Sequence, residues 1–141
     1  MKQLEDIVDV KLAVANSVTS TTLVGTAVDT TGFSRARFVF NLGGVAEIGA
    51  VNASSVGIWR AATSGGTYAA IGGAYLAAIT SGAISAAGCV AVIDVPTAAA
   101  NEWLKVSGSL TSSNMYHSAT VELYNGINRP PTSSAQQIVS V

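Results

Sequence analysis

An uncharged run is the feature that most constrains this chain. No residue from 61 to 93 carries a charge, which is more than enough length for a helix that crosses a bilayer. However, small residues and repeated glycines lower the hydrophobicity of this run. No Lys or Arg closely flanks its most apolar part, 74–93, to set the orientation of a membrane helix. A small membrane protein with a helix at 74–93 is therefore the less favoured interpretation, and we expect no membrane partner.

The low charge extends to the whole chain. Charged residues make up 11% of the sequence, against about 25% in an ordinary soluble domain. A surface with so few charges has little repulsion to keep protein molecules apart. The composition therefore predicts a surface that is covered by other protein.

Length and charge distribution exclude several broad classes. A chain of 141 residues is expected to form one domain. The net charge is −1 and no two basic residues are adjacent, Arg35 and Arg37 being the closest pair. This argues against nucleic acid, because a protein that binds its backbone needs clustered cations. Glu5 and Asp6 stand where a signal peptide would be basic and then apolar, which predicts synthesis in the cytoplasm without a signal peptide.

The residues that usually carry chemistry are sparse and dispersed. His117 is the only histidine, which excludes a metal site with two histidine ligands from one chain, and we expect it to be a partly exposed strand residue. Cys89 is the only cysteine, so no disulfide forms within the chain, and its apolar neighbours predict a small buried side chain. No glycine pair is followed by Lys and Ser or Thr as in a phosphate loop. We expect no catalytic residues, no metal, no cofactor and no enzymatic activity.

Hydrophobic residues recur mainly with a period of two, which is typical of strands with one buried face. Residues 7–14 and 22–28 are rich in Val and Thr and are also expected to be extended. Turn signals separate the segments, the clearest being the paired glycines Gly65 and Gly66. The segment from Asp29 to Gly32 is a further predicted turn. The five alternating or continuously apolar segments that we assign as strands are 35–42, 56–60, 89–95, 103–107 and 119–124.

These patterns predict an all-β domain over residues 17–128, an antiparallel β-sandwich or a jelly-roll-like β-barrel. At most one short helix is expected, at 97–102, where Thr97 would cap an Ala-rich turn. Residues 75–87 leave a helical turn and a long loop as alternatives. Residues 1–16 are set apart as an N-terminal arm and 129–141 as a C-terminal extension; each either pairs with a neighbouring sheet edge or is a free terminus.

Three local patterns together give a resemblance to a known group of proteins. The first is GTAVDTTGF at 25–33, followed at once by the strand at 35–42. The second is the hairpin IWRAATSGGTY at 58–68 with IGGA at 71–74 behind it. The third is WLKV at 103–106, then VELY at 121–124 and a terminal Arg129-Pro130. With these patterns the chain resembles the small virion structural proteins of tailed bacteriophages, most closely the head decoration or cement proteins.

The resemblance implies a non-catalytic protein on the virion surface. Such a domain would bind the outer face of an assembled capsid, with the major capsid protein as its partner, and would stabilise the shell by burying area rather than by chemistry. It would also form homo-oligomers, most often trimers. A tail or baseplate module is the alternative within the same group, and a carbohydrate-binding β-sandwich is the alternative from another class.

Large aromatic side chains near the ends of elements are the contact residues that we predict. Core packing favours the same residue types, so residue type alone does not distinguish a contact residue from a core residue. In a carbohydrate-binding domain, the same Trp and Tyr side chains would form an exposed platform for sugar rings. The predicted contact residues are Phe33, Trp59, Tyr68, Tyr75 and Trp103.

Overall fold

The computed structural model describes residues 7–17, 21–44, 55–79, 88–97, 102–110 and 115–126. Within these ranges the chain forms strands and no helix. The strands are β1 (Ile7–Ser17), β2 (Thr22–Val24), β3 (Val28–Asp29), β4 (Phe33–Gly44), β5 (Val56–Ala61), β6 (Ala69–Tyr75), β7 (Cys89–Pro96), β8 (Trp103–Ser109) and β9 (Met115–Gly126).

Two antiparallel sheets pack face to face. Sheet I has the strand order β1-β9-β4-β7, and sheet II has the order β2-β8-β5-β6, with β3 also pairing with β8. Since β2 and β3 pair with opposite ends of β8, they act as one interrupted edge strand. The predicted all-β class is confirmed, and the two separate sheets identify the architecture as a β-sandwich.

The core lies between the inner faces of the two sheets. Phe38 and Phe40 of β4 are fully buried in one cluster with Ile58, Leu104 and Val106 of sheet II. These residues occupy alternate positions of their strands, because successive side chains of a strand point to opposite faces. The alternation that predicted the strands at 35–42, 56–60 and 103–107 therefore also selects the residues that fill the core.

The segment between β2 and β3 joins the two sheets. Gly25 N–H donates to Val106 O of sheet II at 2.8 Å, and Thr26 N–H donates to Ala13 O of sheet I at 2.8 Å. The backbones approach so closely that a Cβ added at Gly25 would lie 2.9 Å from both Ala13 O and Val106 N. The sandwich therefore closes along this side by direct backbone hydrogen bonds.

Strand β1 forms the edge of sheet I on the same side. Its Asp9 and Lys11 oppose inward-facing residues of β9, and Lys11 Nζ lies 3.1 Å from Asp9 Oδ2 and 3.5 Å from Asp29 O of β3. Inward-pointing charges on an edge strand oppose pairing with a further strand. Residues 7–16, expected as part of an arm, lie within this domain because β9 pairs with them along the strand.

The predicted turn before β4 forms around Asp29. Its Oδ1 accepts a hydrogen bond from Thr31 N–H at 2.9 Å, and Gly32 has a φ of +89°. Thr30 ties the turn to the residue before β8, since its hydroxyl donates a hydrogen bond to Glu102 O at 2.8 Å. An acidic residue three positions before a glycine thus marked this turn correctly.

Three expectations fall partly or wholly outside the described residues. Of the helix expected at 97–102, only Thr97 and Glu102 are described, and Thr97 N–H donates to Ser34 O at 3.0 Å. Residues 80–87 and the extension at 129–141 also lie outside. The described ends of the uncharged stretch 74–93 belong to β6 and β7 rather than to a helix. No helix in the described ranges has the length and hydropathy needed to span a bilayer.

Candidate functional site: the outer face of sheet II

Four of the five predicted contact residues lie on or beside the outer face of sheet II. Trp59 of β5 and Trp103 of β8 point outward, because their chain neighbours Ile58 and Leu104 are buried in the core. Tyr75 ends β6, and Tyr68 closes the loop between β5 and β6. We call Trp59, Tyr68, Tyr75 and Trp103, together with Lys105, the aromatic face.

Strand register places Lys105 among the rings of this face. Lys105 is directly opposite Trp59 in the β5–β8 pair, and Trp103 lies two positions along β8 on the same side. Opposite residues of an antiparallel pair are about 5 Å apart, and their diagonal neighbours about 7–8 Å. Lys105 is therefore adjacent to both tryptophans, although sequence reasoning did not select it.

Tyr68 covers the end of the Lys105 side chain. The ammonium Nζ lies 4.8 Å from the centroid of the Tyr68 ring, within the range of a cation–π contact. The Tyr68 hydroxyl donates a hydrogen bond to Ser64 O at 3.0 Å. Burial raises the pKa of Tyr68 above its ordinary value. The contact between Tyr68 and Lys105 thus holds the β5–β6 loop against strand β8.

Tyr75 is seated over a glycine of the neighbouring strand. Gly57 pairs with Tyr75, and the pairing of β5 and β6 shifts register between Gly57 and Trp59. Because Gly57 has no side chain, the ring of Tyr75 occupies the space above it. The small residues Ala69 and Ala70, which oppose Arg60 and Trp59, leave the rings as the largest groups in this part of the sheet.

Phe33 does not belong to the aromatic face. It begins β4 in sheet I and is 7% exposed, packed within the core cluster. Its residue type and its place beside a turn matched those of the other four. What separates Phe33 from them is its burial in the core cluster.

The groups considered for chemistry are not assembled into a reactive site in the described ranges. His117 is buried rather than partly exposed, since it shares the inward face of β9 with Ala119 and Val121. Cys89 is half-buried against the core. No three of the His, Cys, Asp and Glu residues that the structure describes are grouped so that they could hold a metal ion. The aromatic face instead offers flat rings and one cation, which are groups for binding.

The sequence matches no protein-family model, and no curated protein matches it.

Proposed function

We propose that this chain is a non-catalytic virion structural protein that binds the outer surface of an assembled phage capsid through its aromatic face. The observation that carries the proposal is the grouping of Trp59, Tyr68 and Trp103 around Lys105, with Tyr75 on the same face over Gly57. The partner is the major capsid protein, and the protein works on the virion surface as a homo-oligomer.

The composition of the face supports a protein partner. Aromatic residues are enriched at the centres of protein interfaces, where a few of them supply most of the binding energy. Trp59, Trp103 and Tyr75 are half-buried already in the free domain, so that little side-chain freedom remains to be lost on binding. A shell subunit with apolar pockets and a carboxylate opposite Lys105 would complement such a surface.

The low charge of the chain supports repeated, dense packing. With 11% charged residues, neighbouring copies on a lattice would repel one another weakly. Each contact can be modest, because a regular shell repeats it and linked contacts add by avidity. The resemblance to head decoration proteins points to the capsid surface rather than to the tail or baseplate.

Co-sedimentation with purified empty capsid shells tests the proposal. Trp59→Ala and Trp103→Ala should each weaken shell binding at least about 30-fold, the effect of losing a residue that contributes about 2 kcal/mol. Val24→Ala is the matched control and should weaken binding much less, because it shortens an exposed apolar side chain on the same side of sheet II without removing a ring. Failure of the wild-type protein to bind shells, or equal binding by all variants, would refute the proposed role of this face.

A carbohydrate-binding domain is the second candidate, and the same rings favour it. Sugar rings bind on flat aromatic side chains, and a cation such as Lys105 can donate hydrogen bonds to their hydroxyl groups. The discriminating measurement is binding of soluble polysaccharides to the wild-type protein and to Trp59→Ala. Saccharide binding that depends on Trp59, combined with no affinity for shells, would replace the capsid proposal with this one.

A further inference from the structure

The outer face of sheet I carries most of the exposed apolar side chains in the described ranges. Five large hydrophobic residues on this face remain between 41% and 65% exposed, and Val24 of sheet II is the other such residue. A monomeric protein rarely leaves so many neighbouring apolar side chains in water, because their contact with water is unfavourable. The five residues are Val10, Leu12, Val90, Val92 and Tyr116.

Strand register joins Leu12, Val92 and Val90 into a band across the sheet. Leu12 of β1, Thr120 of β9, Val39 of β4 and Val92 of β7 are opposite one another in successive strands. Val90 extends the band on β7, two residues from Val92. The band therefore crosses sheet I from one edge strand to the other.

Next to the band lies a group of ionised side chains that neutralise one another. Arg35 donates to Asp94 Oδ1 through Nε at 3.0 Å and through an Nη at 2.8 Å, and its Nε lies 2.9 Å from the Tyr124 hydroxyl. Arg37 lies 3.6 Å from both Asp94 and Glu122. Tyr124 also donates to Asp94.

The balance of charge in this group bears on its partner. Two arginines face two carboxylates, and the hydrogen bonds that Arg35 donates to Tyr124 and Asp94 raise the pKa of Arg35. Since the face has no net charge here, a strongly acidic or basic partner gains no electrostatic preference for it. A partner with the same neutral, apolar character meets no repulsion.

We propose that the outer face of sheet I binds the same face of a second copy of this chain. A two-fold axis would lay one apolar band against the other, as in an isologous dimer. Strands about 4.8 Å apart, paired over eight residues between β4 and β7, give each copy about 500 Å² of flat contact. The pair would bury about 1,000 Å², which reaches the size expected of a specific interface.

This contact is independent of the proposed shell contact. The aromatic face belongs to sheet II, on the other side of the sandwich, so pairing through sheet I leaves the aromatic face of both copies free. A two-fold pair also differs from the trimer that the resemblance implies. The oligomeric state therefore distinguishes the two-fold pair from the trimer.

Light scattering and equilibrium sedimentation of the full chain, over a range of concentrations, test the pairing. The wild-type protein should be a dimer or a higher even-numbered assembly. Val92→Lys should weaken dimerisation at least about tenfold, because each added cation would be buried against the apolar surface of the other copy. Leu12→Ser should weaken it in the same direction. Val24→Lys, which changes an even more exposed valine on sheet II, should leave the mass unchanged.

Circular dichroism and thermal unfolding confirm that each variant is folded before its mass is interpreted. A monomeric wild-type protein, a trimer, or a dimer that persists in both Val92→Lys and Leu12→Ser would overturn the proposal. A trimer that still binds shells would refute pairing through sheet I and support the proposed function. A dimer that does not bind shells would support pairing through sheet I and refute the proposed function.

Discussion

The ring of Tyr75 takes the place that a side chain at Gly57 would occupy. A Cβ added at Gly57 would lie 2.5 Å from Cδ1 and 2.7 Å from Cε1 of the Tyr75 ring. The same Cβ would also lie 2.9 Å from the carbonyl oxygen of Ala74. Gly57 therefore supports one ring of the aromatic face, although it has no side chain with which to contact a partner.

Gly57→Ala should displace the Tyr75 ring and lower the free energy of unfolding by about 1–3 kcal/mol, the usual effect of forcing an extra methyl group into packed structure. Thermal unfolding measures the loss, and Gly65→Ala is the control because a Cβ there contacts nothing within 4 Å. Shell binding should fall with Gly57→Ala and not with Gly65→Ala. An unchanged melting temperature for Gly57→Ala would contradict this placement of the ring.

Gly25→Ala should destabilise the fold more strongly than Gly57→Ala. The two nearest atoms to a Cβ at Gly25 are Ala13 O and Val106 N, backbone atoms of different sheets, whereas the two nearest at Gly57 belong to the Tyr75 ring, which can rotate away. We expect a loss of about 2–4 kcal/mol in denaturant unfolding, because the hydrogen bonds from Gly25 and Thr26 must lengthen as well. Gly72→Ala, which meets open space, should cost about 1 kcal/mol or less. Equal effects at positions 25 and 72 would be inconsistent with the close approach.

Arg60 and Glu102 form an ion pair at the end of the sandwich. Arg60 Nε lies 3.1 Å from Glu102 Oε1, without an aligned hydrogen bond, and the Glu102 side chain is 6% exposed. Arg60→Ala leaves this carboxylate buried without its cation, so we expect a loss of about 1–3 kcal/mol. The double variant Arg60→Ala/Glu102→Gln should recover part of that loss in denaturant unfolding. Additive effects of the two single changes would show that the pair does not interact.

The raised pKa of Tyr68 predicts a loss of stability in alkali. The folded protein holds the Tyr68 proton more tightly than the unfolded chain, whose tyrosines ionise near pH 10. Its contribution is therefore complete below about pH 10 and declines as the pH rises toward the folded pKa. Unfolding measured against pH should show a shallower alkaline decline for Tyr68→Phe than for the wild-type protein. Parallel curves would contradict the burial of this hydroxyl.

Local alternation of residues was enough to predict most strands. Phe38 and Phe40 alternate with Arg37 and Val39, and that period of two predicts both a strand and its buried face. Strand β6 was not predicted, because Ala69–Tyr75 contains mostly Ala and Gly and lacks alternation. Its strand conformation comes from pairing with β5, a contact between segments that no local pattern encodes.

The candidate site was likewise predicted from the sequence only in part. The aromatic types of Trp59, Tyr68, Tyr75 and Trp103 singled them out as contact residues, but Phe33 met the same criterion and is buried. Lys105 and Gly57 were not selected, although Lys105 stands two residues after Trp103 and could have been found by that spacing.

By itself the sequence determined the all-β class, the low charge and the inner face of each alternating strand, since these follow from residue type and from the geometry of a single strand. Only the tertiary structure decided which strands are neighbours, and with that the grouping of four aromatic residues and Lys105 on one face of sheet II and of the apolar band on sheet I. The physical reason is that side chains far apart in the chain become adjacent through register, and register is fixed by hydrogen bonds and packing between strands.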